Sequence, residues 1–523
     1  MGNYINLGNE AFTVSRNGEY VDKSGLISVV NNTINTKRCF SCVTRSRRFG
    51  KSMAAEMLCA YYDQSCDSHH LFDDLQIASD PSYGQHLNKY PVIYLDISDF
   101  VTRFRGEDIL KIIDRTLQAD ILQDFPGQTQ KENDDLMDLL ARVVATSNQK
   151  FIFIIDEWDG ILREFDGNQQ VIDAYVNWLR RLFKGGLTAK VFACVYLTGI
   201  LPVKKYNTQS ALNNFTEYTM VEPMDMAPYF GFTIDEVKAL AAKHGMDSGE
   251  LEKWYDGYQI GGASRMFNPN SVMMALKAQF CKSYWSSTGA FDSIADYIRM
   301  NFKGLKDDII DLLADGRIKV NTTKFQNDLS IIRSRDEVLT VLIHLGYLTF
   351  DRTCNECYIP NLEVAGELRN AVEETGWDIV IDAIQRSERL LTHTLRGNAE
   401  AVACGIDAVH DDQTSILSYN DENSLSCVIS LAYYSARNEY IVHRELPSGY
   451  GYADLVFLPR KHVDKLALII ELKQGKSAEE AIRQIKERKY VEKVRQHTAD
   501  ILLVGINYDA DSKKHSCIIE KAE

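Results

Sequence analysis

Four short apolar runs, "RCFSCV" (38–43), "PVIYLDI" (91–97), "FIFIID" (151–156) and "KVFACVYLTG" (190–199), alternate with helical patterns at 52–63, 107–124, 134–147 and 169–184. This alternation constrains the fold more than any other feature of the chain. Runs that are apolar at nearly every position suit strands covered on both faces, the environment of a parallel sheet. Strand alternating with helix over about the first 220 residues therefore predicts a doubly wound α/β domain.

From roughly 225 to 390 the pattern turns mainly helical. Within it, "SRDEVLTVLIHLGYLTFDRTCNECYIPN" (334–361) reads as a helix followed by two short strands. A winged-helix-like module, with the Thr349–Ile359 hairpin as its wing, fits that order; so does a helical lid packed on the first domain. From about 390 the order becomes a helix (424–436), three strands ("EYIVHREL", "GYADLVFLP", "KLALIIELK"), a long amphipathic helix (477–496) and a last strand, "ILLVGINY" (501–508). The expected domains are 1–225, 226–390 and 391–523.

Composition agrees with a globular chain of several domains. The 523 residues are 45% hydrophobic and 25% charged with only 10 Pro, which supplies sizeable cores and argues against disorder. No apolar run reaches the ~18 residues of a membrane span, and "MGNYINLGNE" lacks the basic and apolar regions of a signal peptide. The 11 cysteines read as reduced thiols, so a cytoplasmic location is expected. Two CxxC pairs, Cys39/Cys42 and Cys354/Cys357, lack the further nearby ligands of a structural zinc site. The net charge of −15 argues against a protein that coats nucleic acid electrostatically but leaves room for a local basic groove.

"TRSRRFGKSM" (44–53) follows the first strand and opens a helix. Backbone N–H groups converging at a helix N-terminus bind phosphate. In that setting Gly50 allows close approach, Lys51 reaches the β- and γ-phosphates of ATP, and the Ser52 hydroxyl ligates Mg²⁺. Arg45 stands where the usual loop has its first Gly. Arg45, Arg47 and Arg48 either add positive potential near the phosphates or tie the loop to a neighbouring domain. "FIFIIDEWDG" supplies the second element: Asp156 to hold Mg²⁺ through water and Glu157 to polarise the attacking water. Thr198, in "LTG", is either a polar sensor of the γ-phosphate or part of a simple turn. Arg163, Arg180 and Arg181 are candidate arginine fingers, and a finger acting in trans would require a homo-oligomer.

"YVDKSGLI" (20–27), "RSRRFGKSM", "IIDEWDG" and "LTGILPVKKYNTQSALNNFTEYTM" resemble the AAA-ATPase-like proteins common in gut bacteria. That family's loop usually reads R-P-R-R-F-G-K-S, so the resemblance makes Arg45 the expected residue; Ser46 replaces the usual Pro. It implies a P-loop NTPase parallel-sheet domain that binds ATP at Lys51 and Ser52, with Asp156 and Glu157 as the acid pair. It also places Asp22 and Lys23 in a signature segment near the nucleotide.

The C-terminal region carries a second constellation. Residues at i and i+2 of a strand share a face, so Glu471 and Lys473 point together, and a hairpin-like return brings Asp454 beside them. Two carboxylates make a hard oxygen site for Mg²⁺ or Mn²⁺. A lysine beside them stabilises charge developing on a phosphate or activates water. The arrangement resembles the PD-(D/E)xK nuclease superfamily, with Ala453 where many members have Pro. The resemblance implies a restriction-endonuclease-like α/β domain in which Gln484 and Tyr490 contact a phosphate backbone or support the site. Glu422 and Glu445 are candidates for an additional acid. From Arg460 to Arg495 eleven Lys or Arg stand against six Asp or Glu, enough for a helix that tracks a backbone.

Two functions fit these features. One is an ATP-dependent, Mg²⁺-dependent nuclease acting on nucleic acid, with DNA favoured by analogy, in DNA processing or defence. The other is an NTP-driven switch or scaffold whose C-terminal domain binds nucleic acid or a partner without cutting.

Overall fold

In the computed structural model each of the four apolar runs becomes a strand. The structure describes residues 3–522 apart from 130–133, 166, 204, 207–208, 211, 261–264, 286–296, 299, 301, 314–315, 326–331, 375–377, 414–428, 430–431, 434, 437–439, 449–450, 460–464, 489, 496, 499 and 510. The strands are β1 (Phe40–Thr44), β2 (Val92–Asp96), β3 (Phe151–Asp156) and β4 (Phe192–Gly199), joined by a three-residue β5 (Thr216–Tyr218) too short to read from sequence. The sheet is parallel, in the order β2-β3-β4-β1-β5.

Alternate residues feed two separate cores. Phe151, Phe153 and Ile155 join Val195 and Leu197 on one face, while Ile152 and Ile154 join Cys194 and Tyr196 on the other. Helices cover both faces, which is why these runs are apolar throughout. The free edge of β2 is shielded by the N-terminal segment: Tyr94 N donates to Tyr4 O and Asn6 N to Val92 O, both at 2.9 Å. Because β1 lies beside β4 and not beside β2, the chain reverses its strand order there. Ligands of open α/β sheets bind outside the carboxyl ends of strands at such a point.

The chain divides into two compact units, residues 1–297 with 319–368 and residues 298–318 with 369–523. The first unit includes the predicted helix and hairpin. Helix Arg335–Leu345 is capped by Ser334, whose hydroxyl accepts from Glu337 N, and strands Thr349–Asp351 and Glu356–Tyr358 pair antiparallel. His344, 4% exposed, borders a cavity of about 450 Å³ that Glu217, Thr219, Phe350 and Asn355 also line. Its Nδ1 has no hydrogen-bond partner.

Burial pushes the His344 imidazole down from 6.5 to about 4. A depressed folded-state pKa means that the unfolded chain binds the proton first as pH falls. Stability is therefore lost between pH 6.5 and 4. Urea titrations across that range should show wild type losing about 3 kcal/mol more than His344→Leu, the value of roughly 2.5 pK units. Parallel stability profiles would remove His344 as a source of acid sensitivity.

In the second unit the sheet is β6 (Tyr440–Ser448), β7 (Gly451–Pro459), β8 (Ala467–Gln474), β9 (Ile501–Asp509) and β10 (Lys514–Lys521), in sequential order. Only β8 and β9 run parallel among its described pairs. The sequence pattern lacked β10. That segment is a half-exposed edge strand with Lys at both ends, and its mixed polarity hides it among surface residues. The long helix expected over 477–496 is two helices, Ala478–Glu487 and Tyr490–Val494. Most of the helix expected over 424–436 lies outside the described residues, as does Glu422. No described helix is long and apolar enough to cross a membrane.

Candidate functional site

At the carboxyl end of β1 the chain enters its loop through Arg45, a fully buried guanidinium. It donates to Thr44 O and Tyr218 O at 2.8 Å and lies 5.2 Å from the centre of the Phe230 ring. Desolvation lowers its pKa to about 10. Arg45 therefore staples the loop entrance to β5. Arg48, at φ +65°, donates to Tyr284 O at 3.1 Å, and the Phe49 ring packs edge-on to Tyr258. Arg48 reaches Tyr284, beyond the expected first domain, whereas Arg45 ties the loop to a strand of its own sheet. Half-buried Arg47 stands instead in the charge field of Arg163 and Glu157.

Gly50, at φ +86°, caps the helix Lys51–Tyr62, a conformation that a side chain disfavours. Lys51 is 4% exposed; its Nζ donates to Ser46 O at 3.2 Å and lies 3.8 Å from Glu157 Oε1. Burial lowers the Lys51 pKa, and Glu157 and Asp156 oppose that shift. Ser52 is exposed at the first turn of the same helix.

Register brings the acids to this loop. β1 pairs Val43 with Thr198 of β4, and β3 pairs Ile155 with Leu197, so Asp156 ends beside Thr198. Asp156 accepts from the Thr198 hydroxyl, from Glu157 N at 3.0 Å and from the Tyr94 hydroxyl at 3.4 Å. Thr198 is thus a strand residue bound to the acid, and the turn begins after it. Glu157 pairs with Arg163, whose Nε is 3.2 Å from Asp159 Oδ2. Arg180 and Arg181 lie exposed on the helix Gln169–Phe183.

Sequence reasoning missed several members of this site. Asp96 is the register partner of Asp156, and burial followed by repulsion from Asp156 raises its pKa to about 6. Burial and Asp156 also raise the Glu56 pKa. "YLDI" ends in an acid as "FIID" does, which was the available signal for Asp96. Asp22 accepts from Ser24 N and Gln76 N, while the Lys23 ammonium binds Glu236 at 2.7 Å and Pro228 O at 3.0 Å. The signature segment therefore braces the surrounding backbone.

The second site forms on one face of β7 and β8. Asp454 Oδ2 accepts from Leu472 N at 2.7 Å, which fixes it beside Glu471. Glu471 is 1% exposed. Its Oε1 accepts from Lys473 Nζ at 3.0 Å and from Gln484 Nε2, while its Oε2 has no hydrogen-bond partner. Burial, reinforced by Asp454 and opposed by Lys473, raises the Glu471 pKa to about 7. Tyr490 is buried and reaches Gln484. All four residues predicted around Asp454 are therefore gathered, with Gln484 and Tyr490 on the supporting side.

An orphaned carboxylate oxygen beside a second carboxylate fits a hard divalent cation. Among the described residues no group of three His, Cys, Asp or Glu is assembled as a metal site, and the CxxC cysteines form none. Glu445 lies in β6, with its side chain outside the described residues. Part of the expected basic surplus is paired: Arg483 lies near Glu480 and Glu487, and Lys486 bonds Glu520 at 2.5 Å.

Gly505, which the sequence reading overlooked, sits opposite Glu471 in the β8–β9 register. A Cβ there would lie 2.5 Å from Ala478 O and 3.1 Å from Ala481 Cβ, so the bare backbone lets the Gln484 helix approach Glu471. Gly505→Ala should cost about 1–3 kcal/mol, as overpacking does, and should lower any Asp454-dependent activity further by displacing Gln484. Chemical denaturation and activity assays check the two effects; unchanged values for both would refute the role.

Residues 8–208 match the family model described as predicted AAA-ATPase, and residues 420–517 match that of the PD-(D/E)XK nuclease superfamily. A protein of Azotobacter chroococcum mcd 1, described as uncharacterized and encoded in the vnfD 5′ region, is 21% identical over 97% of this chain and 96% of its own. Solved structures similar to the chain include the Aeropyrum pernix ORC2 protein in its ADPNP–ADP complexes, at 9% identity over 68% of this chain and 93% of that one, with a TM-score of 0.25. The Aeropyrum pernix ORC1 protein in complex with DNA is 13% identical over 73% of this chain and 100% of that one, with a TM-score of 0.22. The protein therefore joins an AAA-ATPase-like domain to a C-terminal domain of the PD-(D/E)XK nuclease superfamily.

Proposed function

We propose that the protein is an ATP-operated, metal-dependent nuclease of the cytoplasm that cleaves nucleic acid, with DNA as the favoured substrate and DNA processing or defence as its setting. The observation that carries this reading is the buried, unpartnered Oε2 of Glu471 beside Asp454, with Lys473 and Gln484 both committed to the other oxygen. Asp454 and Glu471 would hold Mg²⁺ or Mn²⁺. Such an ion, when bound, polarises a phosphodiester and acidifies water. Lys473 fixes the orientation of Glu471 and presents positive charge where a phosphate would gain negative charge. Tyr490 and Gln484 hold that geometry from behind.

At the first site Lys51 and the loop amides would bind the ATP phosphates. Ser52 and Asp156 would hold Mg²⁺, Thr198 fixes Asp156, and Glu157 orients the attacking water. A homo-oligomer is compatible with this chemistry and is not required by it.

Cleavage of single- and double-stranded DNA and RNA, with and without ATP and with Mg²⁺, Mn²⁺ or EDTA, tests the reading. Metal-dependent cutting of DNA is expected. Binding without cutting of any substrate would favour an NTP-driven switch or scaffold.

A further inference from the structure

We propose that Arg163 acts within its own chain as the positioning residue for Glu157, and not as a finger that reaches into a neighbouring subunit. The inference rests on the reading of Glu157 as the residue that orients the attacking water.

The geometry starts at the end of β3. Glu157 has φ +50°, a left-handed conformation rare for a residue with a side chain. The turn is held by Glu157 N on Asp156 Oδ1, by Trp158 N on Thr198 O at 2.8 Å and by Gly160 N on Glu157 O at 2.8 Å. Glu157 is therefore committed in backbone, and its carboxylate has two cationic neighbours. Lys51 Nζ stands 3.8 Å from Oε1, and Arg163 Nη2 holds Oε2.

Arg163 is itself held. Its Nε is 3.2 Å from Oδ2 of Asp159, a fully buried carboxylate. The same Oδ2 accepts from Ile200 N at 3.1 Å and Leu201 N at 2.8 Å, in the turn that follows Thr198. A continuous polar path thus runs from the end of β4 through Asp159 and Arg163 to Glu157 and on to Lys51. Each link is a hydrogen bond or ion pair: the guanidinium donates to Glu157 through Nη2 and pairs with Asp159 by charge.

A finger in trans has to extend from its own surface into another subunit's site. The Arg163 side chain is 16% exposed and is engaged by two acids of its own chain. Withdrawing it would take the ion-pair partner from the wholly buried Asp159 and leave Glu157 with Lys51 alone. Its place is beside its own Glu157, where it sets which oxygen faces Lys51 and the phosphates.

The test uses the full chain and measures ATP turnover alongside the Kd of a fluorescent ATP analogue for wild type, Arg163→Ala, Arg163→Lys and Glu157→Gln. Arg163→Ala should lower kcat by about 100-fold while Kd stays within about threefold, the signature of lost positioning. Added guanidinium should restore part of the rate. Arg163→Lys, which keeps the charge and loses the fork, should fall by about tenfold and serves if the alanine variant does not fold. Mixing Arg163→Ala with Glu157→Gln should give no more activity than the separate proteins.

Recovery on mixing would overturn the proposal in favour of a finger in trans. So would an Arg163→Ala protein that turns over at the wild-type rate. A wild type that neither binds nor hydrolyses ATP would instead refute the reading of the nucleotide site, and the proposal with it.

Discussion

Asp454→Ala is expected to reduce metal-dependent cleavage by about 10³-fold or more, the scale of losing a charge-stabilising group at a reacting centre. The same change should cost only about 1–2 kcal/mol of stability. Asp454 Oδ2 accepts a hydrogen bond from Leu472 N at 2.7 Å, in a position that is half-buried. The gap between the two effects makes the variant diagnostic. A carboxylate present only to stabilise the hairpin would lower the melting temperature and leave the specific rate of the folded fraction intact. Removing Asp454 also takes away the negative neighbour that helps to raise the Glu471 pKa, but leaves Oε1 of Glu471 held by Lys473 and Gln484. The remaining carboxylate stays buried in place and lacks its companion donor. Gel assays with Mg²⁺ and Mn²⁺, paired with thermal melts, separate these cases. Undiminished cutting by folded Asp454→Ala protein would exclude this face of the sheet as the catalytic centre.

Lys51→Ala should suppress ATP hydrolysis by about 10²–10³-fold and weaken nucleotide binding as well, since the ammonium would serve bound ATP and the transition state alike. This lysine is 4% exposed and sits between Ser46 O and the Glu157 carboxylate. Its burial is tolerable because charge and acceptor are both supplied. Truncation leaves Glu157 with Arg163 as its partner, so the fold should survive with a modest loss of stability. The two readouts are phosphate release and fluorescent-nucleotide binding. Basal, Asp454-dependent cleavage should persist in this variant, while any stimulation of cleavage by ATP should vanish. Hydrolysis by Lys51→Ala at the full rate would place the nucleotide elsewhere.

Much of the first site was legible because its chemistry is tied to strand ends. "FIFIID" names both a buried strand and the acid it delivers, and the GKS tripeptide marks a strand-to-helix turn. What stayed hidden depends on strand order. Asp96 meets Asp156 only because β2 lies beside β3. The part Arg45 plays was equally unreadable, since its partners Tyr218 and Phe230 lie far along the chain and nothing in a local window joins them. In the C-terminal domain Glu471, Lys473 and Asp454 follow from the pleat and a hairpin. Gly505 was invisible because its meaning is a helix that comes too close for a methyl group. Strand β10 was missed because an edge strand has no need of an apolar pattern.

The interleaving of the two compact units along the chain has a consequence for synthesis. Residues 298–318, with Leu305, Ile309 and Leu312 fully buried in the finished protein, belong with residues 369–523. During translation they leave the ribosome before any of that partner sequence exists. The roughly 50 intervening residues of the first unit take about 3–10 s at ordinary elongation rates. For that interval the helix Leu305–Leu313 lacks the rest of its compact unit, which makes its apolar residues a natural binding site for a chaperone. A gene fragment that starts after residue 318 would encode a nuclease-like unit permanently missing that helix.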